Sequence, residues 1–289
     1  MNSNVSNQKN VPNALVVEGG AMRGIFSTGV LDAFLENNFN PFDIGIGVSA
    51  GATNIASYLA EMYQRNFKVY ADYSTRPDFI NWSKFIKGGH LVDLDWLWGL
   101  TIKEIRLDLD KILNSKTEFY IGVTAVDSGE SVYLKPDQNN LEETLKASSA
   151  IPVFYRRFVK LNDIDYVDGG LAEPIPVIEA YRRNAKKIMV LRSRPYSYTM
   201  KTNSPNLMSK LYLRKYPNLV KAMTNRANKY HQAIAFMRNP PEGVRIIEVN
   251  PPATFQTKRL TKDVAVLKQD YRTGFEMGLE IMDQWNRLN

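Results

Sequence analysis

The stretch from Ile44 to Asn54 constrains this chain more than any other. An alternating apolar and glycine run leads into Gly47-Val48-Ser49-Ala50-Gly51, and Ile55, Ala56 and Leu59 then recur on one helical face. The Gly-x-Ser-x-Gly order predicts a strand over 43–48, a sharp turn at Ser49 and a helix over 50–60. The turn crowds the backbone around the serine, so a Cβ two residues to either side would collide with it. The serine hydroxyl is then held proud of the sheet at a helix N-terminus, where the dipole and free N–H groups favour negative charge.

A second strand–loop–helix lies upstream. Ala14 to Glu18 is a buried apolar run ending in Gly19-Gly20-Ala21-Met22-Arg23-Gly24, and Ile25 to Asn37 follows a helical period. This geometry suits a phosphate cradle or an oxyanion loop. Gly-x-Gly-x-x-Gly is absent, so a dinucleotide site fits poorly, and a Walker A loop is excluded because Gly-Lys-Ser/Thr is missing. What remains is a row of backbone N–H groups beside Arg23, whose charge either adds to that row or holds the loop.

Composition narrows the chemistry. With no cysteine and only His90 and His231, disulfides, thiol nucleophiles and multi-histidine metal centres are excluded, and no cofactor or metal is implied. Neither histidine stands in a motif, and both read as structural. No apolar run approaches the roughly 20 residues of a bilayer span. Met1 to Asn13 is polar and lacks a signal-peptide core, which predicts a disordered lead-in over 1–13 and a cytoplasmic protein.

The net charge of +7 is unevenly spread. From Ala180 to Pro241 there are fourteen Lys and Arg and no Asp or Glu, whereas the rest of the chain carries 23 basic and 30 acidic residues. Residues 180–241 therefore read either as a solvated helical face or as a peripheral contact for an anionic membrane. Nucleic acid is the less favoured anion. Phe79, Trp82, Phe85, Ile86, Leu91, Trp96, Leu97 and Trp98 crowd another interval, as core or as the lining of an acyl pocket.

Thr117 to Val126 and Ser131 to Lys135 read as a hairpin, Leu141 to Ala150 as a helix stopped by Ile151-Pro152, and Phe158 to Leu161 and Ile164 to Val167 as short strands. The second of these runs into Asp168-Gly169-Gly170. A helix near Pro174 to Arg183 and a strand from Lys187 to Leu191 follow. Residues 192–205 read as a loop, Leu207 to Met237 as a basic helix broken at Pro217, Val244 to Val249 as a strand, and Leu260 to Leu288 as a long amphipathic helix.

The glycine loop at 19–24, the elbow at 47–51 and Asp168-Gly169-Gly170 stand in an order and spacing that resemble the patatin-like phospholipase family. Ala147-Ser148-Ser149-Ala150-Ile151-Pro152 resembles a further segment of that family. The resemblance covers about residues 14–191, and the remainder, 192–289, resembles the extension of some bacterial members. It implies an α/β fold, a three-layer α/β/α sandwich on a mainly parallel sheet, with a mixed, mostly helical C-terminal extension. It also implies hydrolysis of lipid acyl esters, a carboxylic ester hydrolase activity, through a Ser49–Asp168 dyad, with Gly20, Ala21 and Met22 offering N–H groups to the oxyanion. The family usually has a third glycine where this chain has Ala21. If that position needs a positive φ, alanine costs on the order of 1 kcal/mol. Two other readings stay open: a non-catalytic lipid-binding relative with a decayed oxyanion loop, and an acyltransferase or thioesterase using the same site.

Overall fold

The computed structural model describes residues 11–202, 211 and 213–287. The first ten residues of the expected lead-in, and the start of the expected helix at 207, lie outside the described residues. In chain order the elements are β1 (Asn13–Val17), α1 (Ile25–Glu36), β2 (Ile44–Val48), α2 (Ala50–Leu59), α3 (Arg65–Lys68), α4 (Trp82–Ile86), α5 (Leu94–Ile105), α6 (Leu109–Leu113), β3 (Glu118–Ala125) and β4 (Ser131–Leu134). Then follow α7 (Leu141–Ser149), β5 (Val159–Leu161), β6 (Ile164–Asp168), α8 (Val177–Arg182), β7 (Lys187–Leu191), α9 (Pro217–Arg238), β8 (Arg245–Val249) and α10 (Val264–Arg287).

Eight strands form one mixed sheet, hydrogen-bonded in the order β5-β6-β3-β2-β1-β7-β8, with β4 also on β3. The run β3-β2-β1-β7-β8 is parallel throughout. Central parallel strands are covered on both faces, which is why β1 and β2 are continuous apolar or glycine runs rather than alternating ones. One face buries Phe26, Val30 and Phe34 of α1, Ile55 of α2 and Leu145 of α7. The other buries Ala180 of α8 with Tyr230 and Ala233 of α9. The fold is thus α/β with helices on both sides of the sheet.

One detail of register decides where the functional groups meet. β2 pairs with Glu118–Gly122 of β3, β4 with Ile121–Thr124, and β6 with Val123–Ala125. Since a strand has only two edges, β4 takes one, and β2 and β6 share the other end to end. β2 stops at Val48 opposite Gly122, and the antiparallel β6 stops at Asp168 opposite Val123. The residues that leave these two strand ends, Ser49 and Asp168, are thereby brought face to face.

The C-terminal third is woven into this frame. β8 extends the sheet beside β7, and α10 crosses α1 so closely that a Cβ on Gly29 would lie 2.1 Å from the Tyr271 carbonyl, and one on Gly274 2.1 Å from that of Phe26. Beneath the glycine loop, buried Arg192 donates from Nε to Glu18 at 3.0 Å and from its other nitrogens to Glu248 and Tyr230, fastening β1, β7, β8 and α9 together.

Candidate active site

The elbow has the strain that its sequence predicts. Ser49 sits at φ 55°, ψ −128°, a region nearly closed to residues with a Cβ, and it is held there by its surroundings. A Cβ on Gly47 would meet the Ala52 backbone at 2.5 Å, and one on Gly51 the Val17 carbonyl at 2.3 Å. The Ser49 N–H donates to Ser148 Oγ at 2.7 Å, and that hydroxyl donates to the Gly122 carbonyl at 2.6 Å. Ser148, at the end of α7, thus pins the elbow to β3.

Asp168 is held by the same segment. Its N–H donates to the Ala150 carbonyl at 3.0 Å, and its own carbonyl accepts from Thr124 Oγ1 at 2.9 Å. Its Oδ1 accepts the Gly170 N–H at 2.8 Å, while the buried Oδ2 has no partner among the described residues. Burial pushes the carboxyl above the ordinary carboxylate range; the Ser49 hydroxyl, the Gly170 N–H and the charges of Arg226 and Arg259 pull the other way without reversing it. No hydrogen bond of standard length and angle closes between Ser49 and Oδ2, although the hydroxyl is near enough to influence the acid. Catalytic hydrogen bonds of ligand-free sites are commonly this loose.

The glycine loop lies alongside. Ala21 adopts φ 49°, so the position where the family usually has glycine is left-handed here and the alanine carries that strain. Met22 donates its N–H to the Arg259 carbonyl at 3.3 Å. Among the described residues the N–H groups of Gly20 and Ala21 have no acceptor, and both residues line the cleft that holds Ser49 and Asp168. Arg23 is buried and ties the loop to the end of β7, donating to the Ser193 carbonyl from Nε at 3.2 Å; burial and the Arg194 charge bring its pKa down to about 10. Gly19 packs against Ser49, where a Cβ would lie 3.1 Å from that of the serine, and Gly24 against the Tyr70 hydroxyl at 2.3 Å. Gly169 backs onto the Gly122 carbonyl, 2.1 Å from where its Cβ would lie, and Gly170 lines the cleft.

Two spaces open from Ser49. One is an apolar cavity of about 120 Å³, walled by Phe79, Ile80, Leu97, Trp98, Phe154 and Leu260 among others, with Ala21 and Ser49 at its mouth. The aromatic interval at 79–98 is therefore divided: Phe79, Leu97 and Trp98 line the cavity, Phe85 and Leu91 are core, and Trp82 and Ile86 are exposed. The other space is a more polar cleft of about 220 Å³ containing Ser49, Asp168, Arg226 and Arg259. Neither contains a histidine. His90 Nδ1 accepts the Arg156 N–H at 2.8 Å and its ring stacks on Tyr155, while His231 packs beside Tyr230 on α9.

The structure brings the sequence-predicted Ser49 and Asp168 into one cleft; the hydrogen bonds of Ser148, and Arg226 and Arg259 as cleft residues, did not follow from the sequence. Arg226 is marked only as one charge of the basic run at 180–241, and Arg259 stands in a loop with no local pattern to single it out. Among the described residues no group of three or more His, Asp or Glu converges as a metal site.

Comparison with known proteins adds to this picture. A family model described as patatin-like phospholipase matches residues 15–181, and one for a domain of unknown function, DUF6363, matches residues 216–289. The uncharacterized protein YjjU of Escherichia coli (strain K12) is 36% identical over 268 residues, covering 90% of this chain and 74% of its own length. VipD from Legionella pneumophila is similar in structure with a TM-score of 0.47 at 13% identity, over 95% of this chain and 67% of its own. Human GIVD cytosolic phospholipase A2 has a TM-score of 0.47 at 10% identity, over 96% of this chain and 59% of its own.

Proposed function

The chain belongs to the patatin-like phospholipase family, and from that premise we propose that it is a serine hydrolase cleaving acyl esters of lipids through a Ser49–Asp168 dyad. The observation that carries this reading is the convergence of a strained serine and a buried, unpartnered carboxylate oxygen at two abutting strand ends.

The chemistry follows from the groups at hand. Asp168 Oδ2 takes the Ser49 proton as the hydroxyl oxygen attacks the ester carbonyl. The N–H groups of Gly20 and Ala21 stabilise the resulting oxyanion, each such donor being worth about 10²–10³ in rate. Collapse breaks the bond to the leaving alcohol, which takes the proton back from Asp168. A water then attacks the acyl-serine as Asp168 takes its proton, and collapse breaks the acyl–oxygen bond, returns that proton from Asp168 to the Ser49 oxygen and releases the fatty acid. A carboxylate is normally a weak base, and the raised pKa of Asp168 suits it better to the task. The apolar cavity takes the acyl chain.

In this reading residues 14–191 supply the dyad and most of the acyl cavity, and 192–289 form an extension that walls the polar cleft and adds Leu260 to the cavity. Among the described residues no helix is long and apolar enough to cross a membrane. Peripheral contact with an anionic bilayer through 180–241 would rest on the exposed Lys201, Lys215, Lys221 and Lys229, because Arg192 of that segment is buried against acids and Arg238 is paired with Glu248.

The test is hydrolysis of p-nitrophenyl butyrate by wild type, Ser49→Ala and Asp168→Asn. Both variants should lose at least about 10³-fold in kcat while melting as wild type does. For wild type, kcat should rise with pH through a midpoint above the ordinary carboxylate value of about 3.9, since only the ionised aspartate serves as base. An Asp168→Asn enzyme of wild-type activity would end the dyad reading.

A further inference from the structure

The polar cleft does not end at the dyad. It continues past Arg226 and Arg259 into a space of about 380 Å³ whose wall adds Arg194, Lys201, Thr199 and Thr224. Among the described residues five cationic side chains, those of Arg23, Arg194, Lys201, Arg226 and Arg259, face the two spaces, against two carboxylates, Glu18 and Asp168. Among the described residues neither carboxylate forms an ion pair with any of the five. Glu18 is engaged by Arg192 Nε at 3.0 Å and by the Ser193 N–H at 2.8 Å, and Asp168 belongs to the dyad.

The arginines differ in how far they are committed. Arg23 is tied to Ser193. Arg226 gives Nε to the Gly170 carbonyl and Nη1 to the Met200 sulfur at 3.8 Å, and its guanidinium still lines both spaces. Arg194 stacks its guanidinium 4.3 Å over the Tyr198 ring. The Arg259 guanidinium, largely withdrawn from water, makes no hydrogen bond or ion pair with any described residue, and it borders both the cleft and the apolar cavity. Like charges gathered at a partly buried site repel one another. Guanidiniums with unused donors, converging from three segments, match the geometry and charge of a phosphate.

We propose that Arg194, Arg226 and Arg259 form a phosphate subsite beside Ser49, built by the C-terminal third of the chain to hold the anionic head group of a glycerophospholipid or lysophospholipid. The proposal rests on the hydrolase reading for its placement: the acyl chain lies in the apolar cavity, the ester at Ser49, and the leaving glycerophosphate in the arginine cleft. A neutral acylglycerol would leave the three guanidiniums desolvated without an anion, so the site favours phosphate-bearing esters.

The experiment is isothermal titration of the folded Ser49→Ala protein, which measures binding without turnover, with 1-octanoylglycerol 3-phosphate, 1-octanoylglycerol and inorganic phosphate. The phosphate amphiphile should bind at least about tenfold more tightly than the neutral one, as expected for charge-assisted hydrogen bonds. Raising salt should narrow the gap. Adding Arg194→Gln and Arg259→Gln should abolish it, and Arg259→Lys should retain part of it. Equal affinity for the two amphiphiles would overturn the proposal, as would a gap that survives in the folded double-glutamine background. Inorganic phosphate binding as tightly as the amphiphile would assign the site to a free anion and overturn the head-group assignment. Failure of the hydrolase reading appears separately, as absence of Ser49-dependent esterase turnover in the wild type.

Discussion

Two residues at the site hold backbone conformations that side chains disfavour, and the two differ in kind. Ser49 at φ 55° is clamped by Ser148 and by neighbours that leave no room at Gly47 and Gly51. Ala21 at φ 49° is a departure from the family's usual glycine. Replacing Ala21 by Gly would relieve about 1 kcal/mol of left-handed strain but would add roughly 0.4–1 kcal/mol of chain entropy to the unfolded state. The two terms nearly cancel. Chemical denaturation of Ala21→Gly should therefore give a stability within about 0.5 kcal/mol of wild type, and because the N–H stays in place its esterase kcat should stay within a few-fold. A loss of several kcal/mol would mean that the alanine methyl makes a contact this account omits.

At the scale of elements, α7 does more than cover the sheet. Its C-terminal turn carries the hydroxyl that holds Ser49 and the carbonyl that holds Asp168, so one segment sets both residues of the proposed dyad. Ser148→Ala removes the acceptor of one buried N–H and the donor to one buried carbonyl. This should cost about 1–3 kcal/mol in stability and lower kcat more than it raises KM, because the nucleophile is misplaced rather than the lipid unbound. Unchanged kcat in a destabilised Ser148→Ala would confine the brace to folding.

How much of the fold was legible follows the length of its elements. The strands Ala14 to Glu18, Asp43 to Val48 and Lys187 to Leu191 stood out as buried runs bounded by turn residues, and the structure places β1, β2 and β7 there within one residue. Of the helix expected to break at Pro217, residues 207–210 and 212 lie outside the described residues, residue 211 is helical, and α9 starts afresh at Pro217, since proline fits a first helical turn that needs no N–H donor. Residues 61–113 resisted because α3, α4 and α6 span at most five residues each, too short for a 3.6-residue period to declare itself. Caps were the usable signal: Asn81, Asp93 and Asp108 each accept the N–H three residues on, at 2.8, 3.1 and 3.1 Å. The residues of the proposed dyad could be named from the sequence because elbow and turn are local patterns. The arginine cleft could not, because Arg194, Arg226 and Arg259 are assembled by tertiary packing alone.

Across the whole molecule, the basic segment changes its meaning once folded. On the sequence it is a single run of charge. In the fold Arg192 turns inward to bind β1 to β8, Arg226 lines the cleft that holds Ser49 and Asp168, Arg194 lines the space adjoining it, and a set of lysines faces outward. Ser49 is where the apolar cavity, the glycine loop and the arginine-lined cleft meet, and the proposed reading makes these the acyl site, the oxyanion donors and the head-group site. The most direct measurement is intact-protein mass spectrometry after exposure to an alkyl fluorophosphonate, which traps an activated serine. The account predicts one adduct, mapped to Ser49, absent in Ser49→Ala and formed at least about 100-fold more slowly in folded Asp168→Asn, as expected when a nucleophile loses its base. An adduct on another residue, or labelling of Asp168→Asn at the wild-type rate, would contradict it.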